Sequence, residues 1–187
     1  MKEEIRASSG WSSLGILFFL AGFAAAMIFG WVIFPELLYS QKTQPVNFSH
    51  ALADHQGSGC EDCHSFREDG TFTGIPRLAK CAECHESPMT ESPDEKVLVE
   101  EYIQKTREIP WLVYAYQPDN VFFAHAPHKA KGIECVQCHR DVSNESKNPP
   151  YRENRLTGYS KSTMKMDACE KCHAEQGASN NCEICHK

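Results

Sequence analysis

Cys60-Glu61-Asp62-Cys63-His64 is the stretch on which the reading of this chain turns. Its pattern recurs as Cys81-Ala82-Glu83-Cys84-His85, Cys135-Val136-Gln137-Cys138-His139, Cys169-Glu170-Lys171-Cys172-His173 and Cys182-Glu183-Ile184-Cys185-His186, and the five copies use all 10 cysteines of the 187 residues. Two thiols three residues apart on one helical turn reach the two vinyl groups of a single haem, and the histidine that follows swings beneath the ring to hold the iron. A zinc knuckle, a thioredoxin-like pair or a disulfide needs only the cysteines, so a histidine directly after every pair predicts covalent haem c. Five is the number of attachment motifs, and a haem held without both thioethers would add to it.

Upstream of the motifs, no charged residue occurs from Ala7 to Pro35, and Leu14 to Phe34 is almost wholly apolar. At about 1.5 Å per residue this is a helix close to 30 Å long, enough to span a bilayer. Ala24-Ala25-Ala26 offers a signal-cleavage site, but the apolar run continues through Met27 to Phe34, so the segment reads as a retained anchor. Lys2 and Arg6 precede it and Lys42 follows soon after, so the positive-inside bias is close to a draw. Haem attachment outside the cytoplasmic membrane decides the orientation: N-terminus in the cytoplasm, cysteines in the periplasm. Trp11 and Trp31 fall toward the two ends of the span, where aromatic rings prefer the interface. Gly10, Gly15, Gly22 and Gly30, with the alanine cluster, suit close approach by another membrane helix.

The acidic and basic residues of the first 35 cancel, so the formal net charge of −6 belongs to the remainder. That balance excludes a nucleic-acid reader and suits a cationic protein partner. Roughly 30 residues per haem are too few for an ordinary apolar core, so the haems are expected to form it. The small size and the histidine in every motif argue against a catalytic haem pocket.

The chain repeats on itself at an offset of 75 residues: Val46, Phe48, His50, Gly57, Cys60, Cys63 and His64 fall on Val121, Phe123, His125, Gly132, Cys135, Cys138 and His139. This divides it into an anchor (1–38), a first two-haem module (39–90), a connector (91–120) and a second haem module with an appended fifth haem (121–187). Within the connector, Ser92-Pro93-Asp94-Glu95 predicts an N-cap, a proline at the first helical position and a capping-box glutamate. Val97, Leu98, Val99, Tyr102 and Ile103 give the helix one apolar face, and Ile109-Pro110 ends it. Trp111 to Tyr116 reads as a short extended run, and Ser143 to Lys165 as a long irregular loop.

Of the 9 histidines, the motifs take His64, His85, His139, His173 and His186. His50, His55, His125 and His128 remain, paired and placed shortly before a motif in both copies, which predicts four distal ligands for five irons. Phe48 and Phe123 are expected against porphyrin. For the iron left over, the sulfur of Met166 is the leading candidate, the alternatives being an open iron or a ligand from another subunit.

Phe-x-His and a second His ahead of Cys-x-x-Cys-His resembles the class III cytochromes of the c3 and c7 type. The anchor, followed by Val46 to His50 (VNFSH), Pro110 to His128 (PWLVYAYQPDNVFFAHAPH) and Ser162 to His173 (STMKMDACEKCH), is similar to the multihaem cytochrome subunit of the alternative complex III family, most of all in its menaquinone reductase (Qrc) branch. The resemblance implies a mostly irregular and α-helical, haem-cored fold behind one N-terminal transmembrane helix. It implies that His50 pairs with His64 and His125 with His139, while His55 and His128 reach other haems. Four residues separate His50 from His55 and two separate His125 from His128, so the two copies differ here. It also implies an integral membrane quinone-binding subunit, an iron-sulfur subunit and a molybdopterin-oxidoreductase-like subunit as partners. Electrons would enter from a soluble, basic tetrahaem cytochrome c3 and end on menaquinone. The competing role is a free-standing, single-anchor quinol dehydrogenase, in which Cys-x-x-Cys-His-x-Met often follows the anchor; here Ser65-Phe66 follow His64.

Overall fold

A computed structural model describes residues 9–52, 55, 57 and 59–186; Lys2 and Arg6, and the side chains of Gly10 and Trp11, lie outside what it describes. The chain forms two compact units, one running to Ser40 and including Asn154–Gly158, the other comprising Gln41–Glu153 and the residues from Tyr159 on.

The first unit is the apolar helix. It consists of α1 (Ser9–Ile28), a π-helical turn (Phe29–Ile33) and α2 (Phe34–Leu37). Within Ser13–Leu37 an 18-residue window has a mean hydropathy of 2.4 and buries none of its side chains, so the helix is long and apolar enough to cross a membrane. The π turn has a cause in the sequence. Pro35 has no N–H to donate and its ring crowds the preceding turn, and the helix widens there so that Phe34 N–H bonds five residues back to the carbonyl of Phe29. At the helix end, Arg155 supplies donors that the helix lacks: its N–H meets the Leu38 carbonyl at 2.7 Å and its Nε the Leu37 carbonyl at 3.1 Å. Asn154 shapes that turn by accepting the N–H groups of Leu156 and Thr157 on its side-chain oxygen, at 2.9 and 3.0 Å.

The second unit carries all five motifs on short pieces: α3 (Cys60–Cys63), α4 (Leu78–Ala82), a single 3-10 turn (Cys135–Gln137), α7 (Met166–Gln176) and α8 (Cys182–Cys185). Helix α5 (Pro93–Val97), a π-helical continuation (Leu98–Ile103) and α6 (His125–Ala130) complete the helical part. Helix α7 stops where Gly177 turns left-handed, at φ 66°, letting Ala178 N–H close on the His173 carbonyl at 2.8 Å.

A small protein core exists, contrary to the expectation that haem alone would supply it. Val46, Leu78, Leu98, Tyr102 and Ile109 pack together, with Cys81, Ile103 and Trp111 against them, and Val99 is fully buried. The connector helix therefore buries its apolar face on the first module. It ends at Ile103, six residues before Ile109, once Thr106 adopts a left-handed φ of 49°. Trp111 to Tyr116 forms no strand; Leu112 is held instead through both its backbone groups by the side-chain amide of Gln44, at 2.7 and 3.0 Å.

The stretch 143–165 is more regular than its composition suggests. It contains β2 (Tyr151–Asn154), which pairs with β1 (Tyr39–Lys42), and Tyr151 is buried. Asn148 gives its N–H to the side chain of Asn47 at 2.9 Å and its amide to the Val46 carbonyl at 3.2 Å, while Tyr114 donates to the Pro149 carbonyl at 2.5 Å. The segment is a strap laid across residues a hundred positions upstream.

Candidate functional site

The expected ligands gather in facing pairs. Ring centres of His125 and His139 are 6.2 Å apart and nearly parallel at 11°; those of His128 and His173 are 6.2 Å apart, and those of His55 and His85 6.4 Å. Two imidazoles that bind one metal ion from opposite sides, each through a nitrogen about 2.0 Å away, place their ring centres roughly 6 Å apart. The spacing therefore fits an iron between each pair. Among the described residues, no three or more His, Cys, Asp or Glu side chains gather around one bare ion, the arrangement that a zinc knuckle requires. None of the ten cysteines is joined to another in a disulfide.

Burial first, then the nearby His64, pushes the His50 imidazole below its usual value. Burial, followed by His139, does the same to His125, and burial followed by His64 does it to His139. A depressed imidazole is neutral at physiological pH, the form that binds iron.

Hydrogen bonds fix which ring nitrogen is free. His64 donates Nδ1–H to the Gly74 carbonyl at 3.1 Å, His173 to Ser179 at 3.0 Å and His186 to Asn120 at 2.8 Å. His55 donates likewise to Ser49 at 2.7 Å and His128 to Ala124 at 2.9 Å. Each bond leaves Nε2 free to act as a ligand and sets the ring's orientation. His85 differs, because its Nδ1 meets the carboxylate Oε1 of Glu95 at 2.9 Å.

Glu95 was expected to close a capping box on the N–H of Ser92. It turns away from it. Its Oε1 accepts the Met89 N–H at 3.0 Å, and its Oε2 accepts both the N–H of Thr90, at 2.8 Å, and the Thr90 hydroxyl. The Thr90 hydroxyl and then the Met89 N–H, against the cost of burial, hold the Glu95 carboxyl down to about 2. The Ser92 N–H goes instead to the Thr90 hydroxyl oxygen at 3.2 Å. The turn 86–92 reaches the carboxylate first, so the helix start is set by Pro93 alone.

Phe48 and Phe123 have a role that the sequence did not suggest. Phe48 lies edge-on to His50 at 4.8 Å and stacks on His55 at 4.6 Å; Phe123 repeats this with His125 at 4.8 Å and His128 at 4.7 Å. Each phenyl ring braces two imidazoles at once, and the bracing survives the difference in spacing between the two copies. Phe72 adds a bridge, 4.3 Å from His125 and 6.4 Å from His64.

The motifs also follow one another in space. After burial, the largest influence raising the thiol of Cys81 is Cys63, that of Cys135 is Cys60, that of Cys138 is Cys172, and that of Cys169 is Cys185. The attachment peptides thus run 81–85, 60–64, 135–139, 169–173, 182–186. Lys129 ties the middle of this row by an ion pair with Glu61 and by lying 4.5 Å over the Phe66 ring. The last motif is seated on the segment that opens the second module, through Phe122 N–H to the Cys185 carbonyl at 2.7 Å and the His186 bond to Asn120.

With His173 facing His128, the motif histidine left over is His186. Met166 opens α7 in the same helix as Cys169 and His173, with its side chain 62% exposed.

Comparison with known proteins agrees with this geometry. Residues 35–109 match the class III cytochrome c family, and residues 121–187 match cytochrome c7 and related cytochromes c. The chain is 48% identical, over 90% of its own length and 89% of the relative's, to the multiheme cytochrome c subunit of menaquinone reductase from Nitratidesulfovibrio vulgaris strain Hildenborough. The chain belongs to this family. Each of the two matched regions contains one copy of the repeated stretch, and the class III fold follows for both.

Proposed function

We propose that this chain is the membrane-anchored electron-transfer subunit of a menaquinone reductase, holding five haems c and doing no substrate chemistry of its own. The observation that carries the reading is the set of imidazole pairs facing each other at 6.2 to 6.4 Å, each including the histidine of a Cys-x-x-Cys-His motif. Bound haem supplies reversible one-electron exchange between ferric and ferrous iron. The chain's residues do the rest. Cys60 and Cys63, Cys81 and Cys84, Cys135 and Cys138, Cys169 and Cys172, and Cys182 and Cys185 form the thioethers. His64 with His50, His85 with His55, His139 with His125 and His173 with His128 hold iron from both sides, and Met166 completes the coordination at His186. The Nδ1 bonds keep the rings from turning, so little reorganisation accompanies a change of charge.

The apolar helix Ser13–Leu37 anchors the chain in the cytoplasmic membrane with the motifs on the periplasmic side. Its partners are a quinone-binding membrane subunit together with iron-sulfur and molybdopterin-oxidoreductase-like subunits. A soluble basic cytochrome c of the tetrahaem type meets the acidic periplasmic part, and electrons flow toward menaquinone.

The test uses the complex isolated from its native membrane. Haem released per chain should correspond to the five motifs, and the ferric spectrum should be dominated by low-spin iron with two imidazole ligands. His128→Ala should convert one low-spin component to high spin with the haem still attached. Fewer than five attached haems, or an unchanged spectrum in the variant, would refute the ligand set. Quinol oxidation by the isolated chain would instead favour the single-anchor quinol dehydrogenase.

A further inference from the structure

We infer that Glu95 is a positioning residue that sets the iron site of His85 at a lower reduction potential than the other sites of this chain. The inference rests on the proposed ligation of iron by His85. Where an axial imidazole donates its second N–H to a neutral carbonyl, as His64, His173 and His186 do, the ring remains a neutral ligand. A carboxylate in that place draws the proton toward itself and leaves more negative charge on the ring. Such a ring donates more strongly to iron and favours the ferric state.

The geometry around Glu95 keeps the group charged and aimed. Its two oxygens face four donors: His85 Nδ1–H, the N–H of Met89, and the N–H and hydroxyl of Thr90. A protonated carboxyl would set its own O–H against one of these donors, whereas the carboxylate satisfies all of them. The residue is buried at 8% exposure, where water screens its charge weakly and the effect on His85 is strong. The surroundings are held by the fold: the proline-opened α5 carries Glu95, and the following π-helical segment, with Leu98, Val99 and Tyr102 buried, locks α5 against the Cys81 peptide.

The experiment is a redox titration of the intact complex, followed by optical and electron paramagnetic resonance spectra. His85→Met marks the component that belongs to this site by raising it and changing its low-spin signal. In Glu95→Gln the same component should move upward, changing the oxidised-to-reduced ratio at fixed potential by about tenfold, about 59 mV for a one-electron couple. The other components should stay in place and Glu95→Asp should restore the shift in part. Thr90→Val leaves the carboxylate and its bond to His85 but removes a competing donor, so it should move the component downward. A marked component that stays put in Glu95→Gln overturns the inference, as does movement of all components together. If Glu95→Gln does not mature, Thr90→Val decides: a downward shift supports the inference and none overturns it. Absence of haem on the wild-type 81–85 peptide, read by mass spectrometry, would instead remove the underlying ligand assignment.

Discussion

A single phenylalanine in each repeat holds two histidines in place, and this sets the scale at which the chain is most sensitive. Replacing Phe123 by Ala removes a ring packed 4.8 and 4.7 Å from His125 and His128, leaving both imidazoles free to rotate about Cβ. The expected outcome is broadening of two low-spin signals, those of the His139 and His173 sites, with full haem attachment retained. Unbroadened signals would show that the Nδ1 bond of His128 to Ala124 suffices. Met166→Leu offers a complementary test: loss of a thioether ligand should lower the highest potential of the set or yield one high-spin iron, because a His/Met iron sits higher than a bis-His one. The nine histidines were legible in the sequence, five in motifs and four paired shortly before a motif, but which rings come together was not, since His55 meets His85 and His128 meets His173 across long stretches of chain. The target of Glu95 was not, since Ser-Pro-Asp-Glu satisfies a local capping rule and only the folded turn 86–92 brings His85 within 2.9 Å of it.

Among the elements, the connector helix with its π-helical extension is the most conventional and the most easily broken. Leu98→Ala opens a cavity in the apolar cluster around Val46 and Tyr102 and should destabilise the motif-bearing part by about 2 to 5 kcal/mol, read as a lower denaturation midpoint with the haem spectrum unchanged beforehand. The strap 143–165 should respond differently. Asn148→Ala cuts its side-chain bond to the Val46 carbonyl, so limited proteolysis should reach the strap sooner while global stability falls by only about 1 kcal/mol. The sequence showed the long apolar helix through its apolar run and the connector helix through Pro93 and its apolar stripe, both local signals. It did not show β2, whose partner strand β1 lies more than a hundred residues upstream, since Tyr151-Arg152-Glu153-Asn154 has no alternation of its own. Nor did it show the π turn, although Pro35 supplies its cause.

At the scale of the whole chain, the net charge of −6 falls on the part outside the anchor, and haem propionates would add to it. A cationic cytochrome should therefore be drawn in over a Debye length and released readily. Stopped-flow measurement of electron transfer from such a partner should give a bimolecular rate that falls steeply from low to high salt; a rate flat across that range would reduce the acidic surface to a matter of solubility. One copy of the repeated stretch lies in each of the two matched regions, and the fifth motif stands at the C-terminal end of the second.

The turn Asn154–Gly158 belongs with the apolar helix although it follows it by more than a hundred residues, and its Arg155 takes up the carbonyls of Leu37 and Leu38. This governs how a water-soluble version could be made. A cut at residue 38 or 39, where the hydropathy drops, would take away one or both of the acceptors of Arg155 and leave Leu156, already 80% exposed, on a turn with nothing to grip. A protease site placed within Ser13–Ile28 would release a fragment that keeps Leu37 and Leu38 for Arg155, and in detergent sufficient to cover Phe29, Trp31 and Ile33 its turn 154–158 should resist proteolysis longer than that of the shorter fragment.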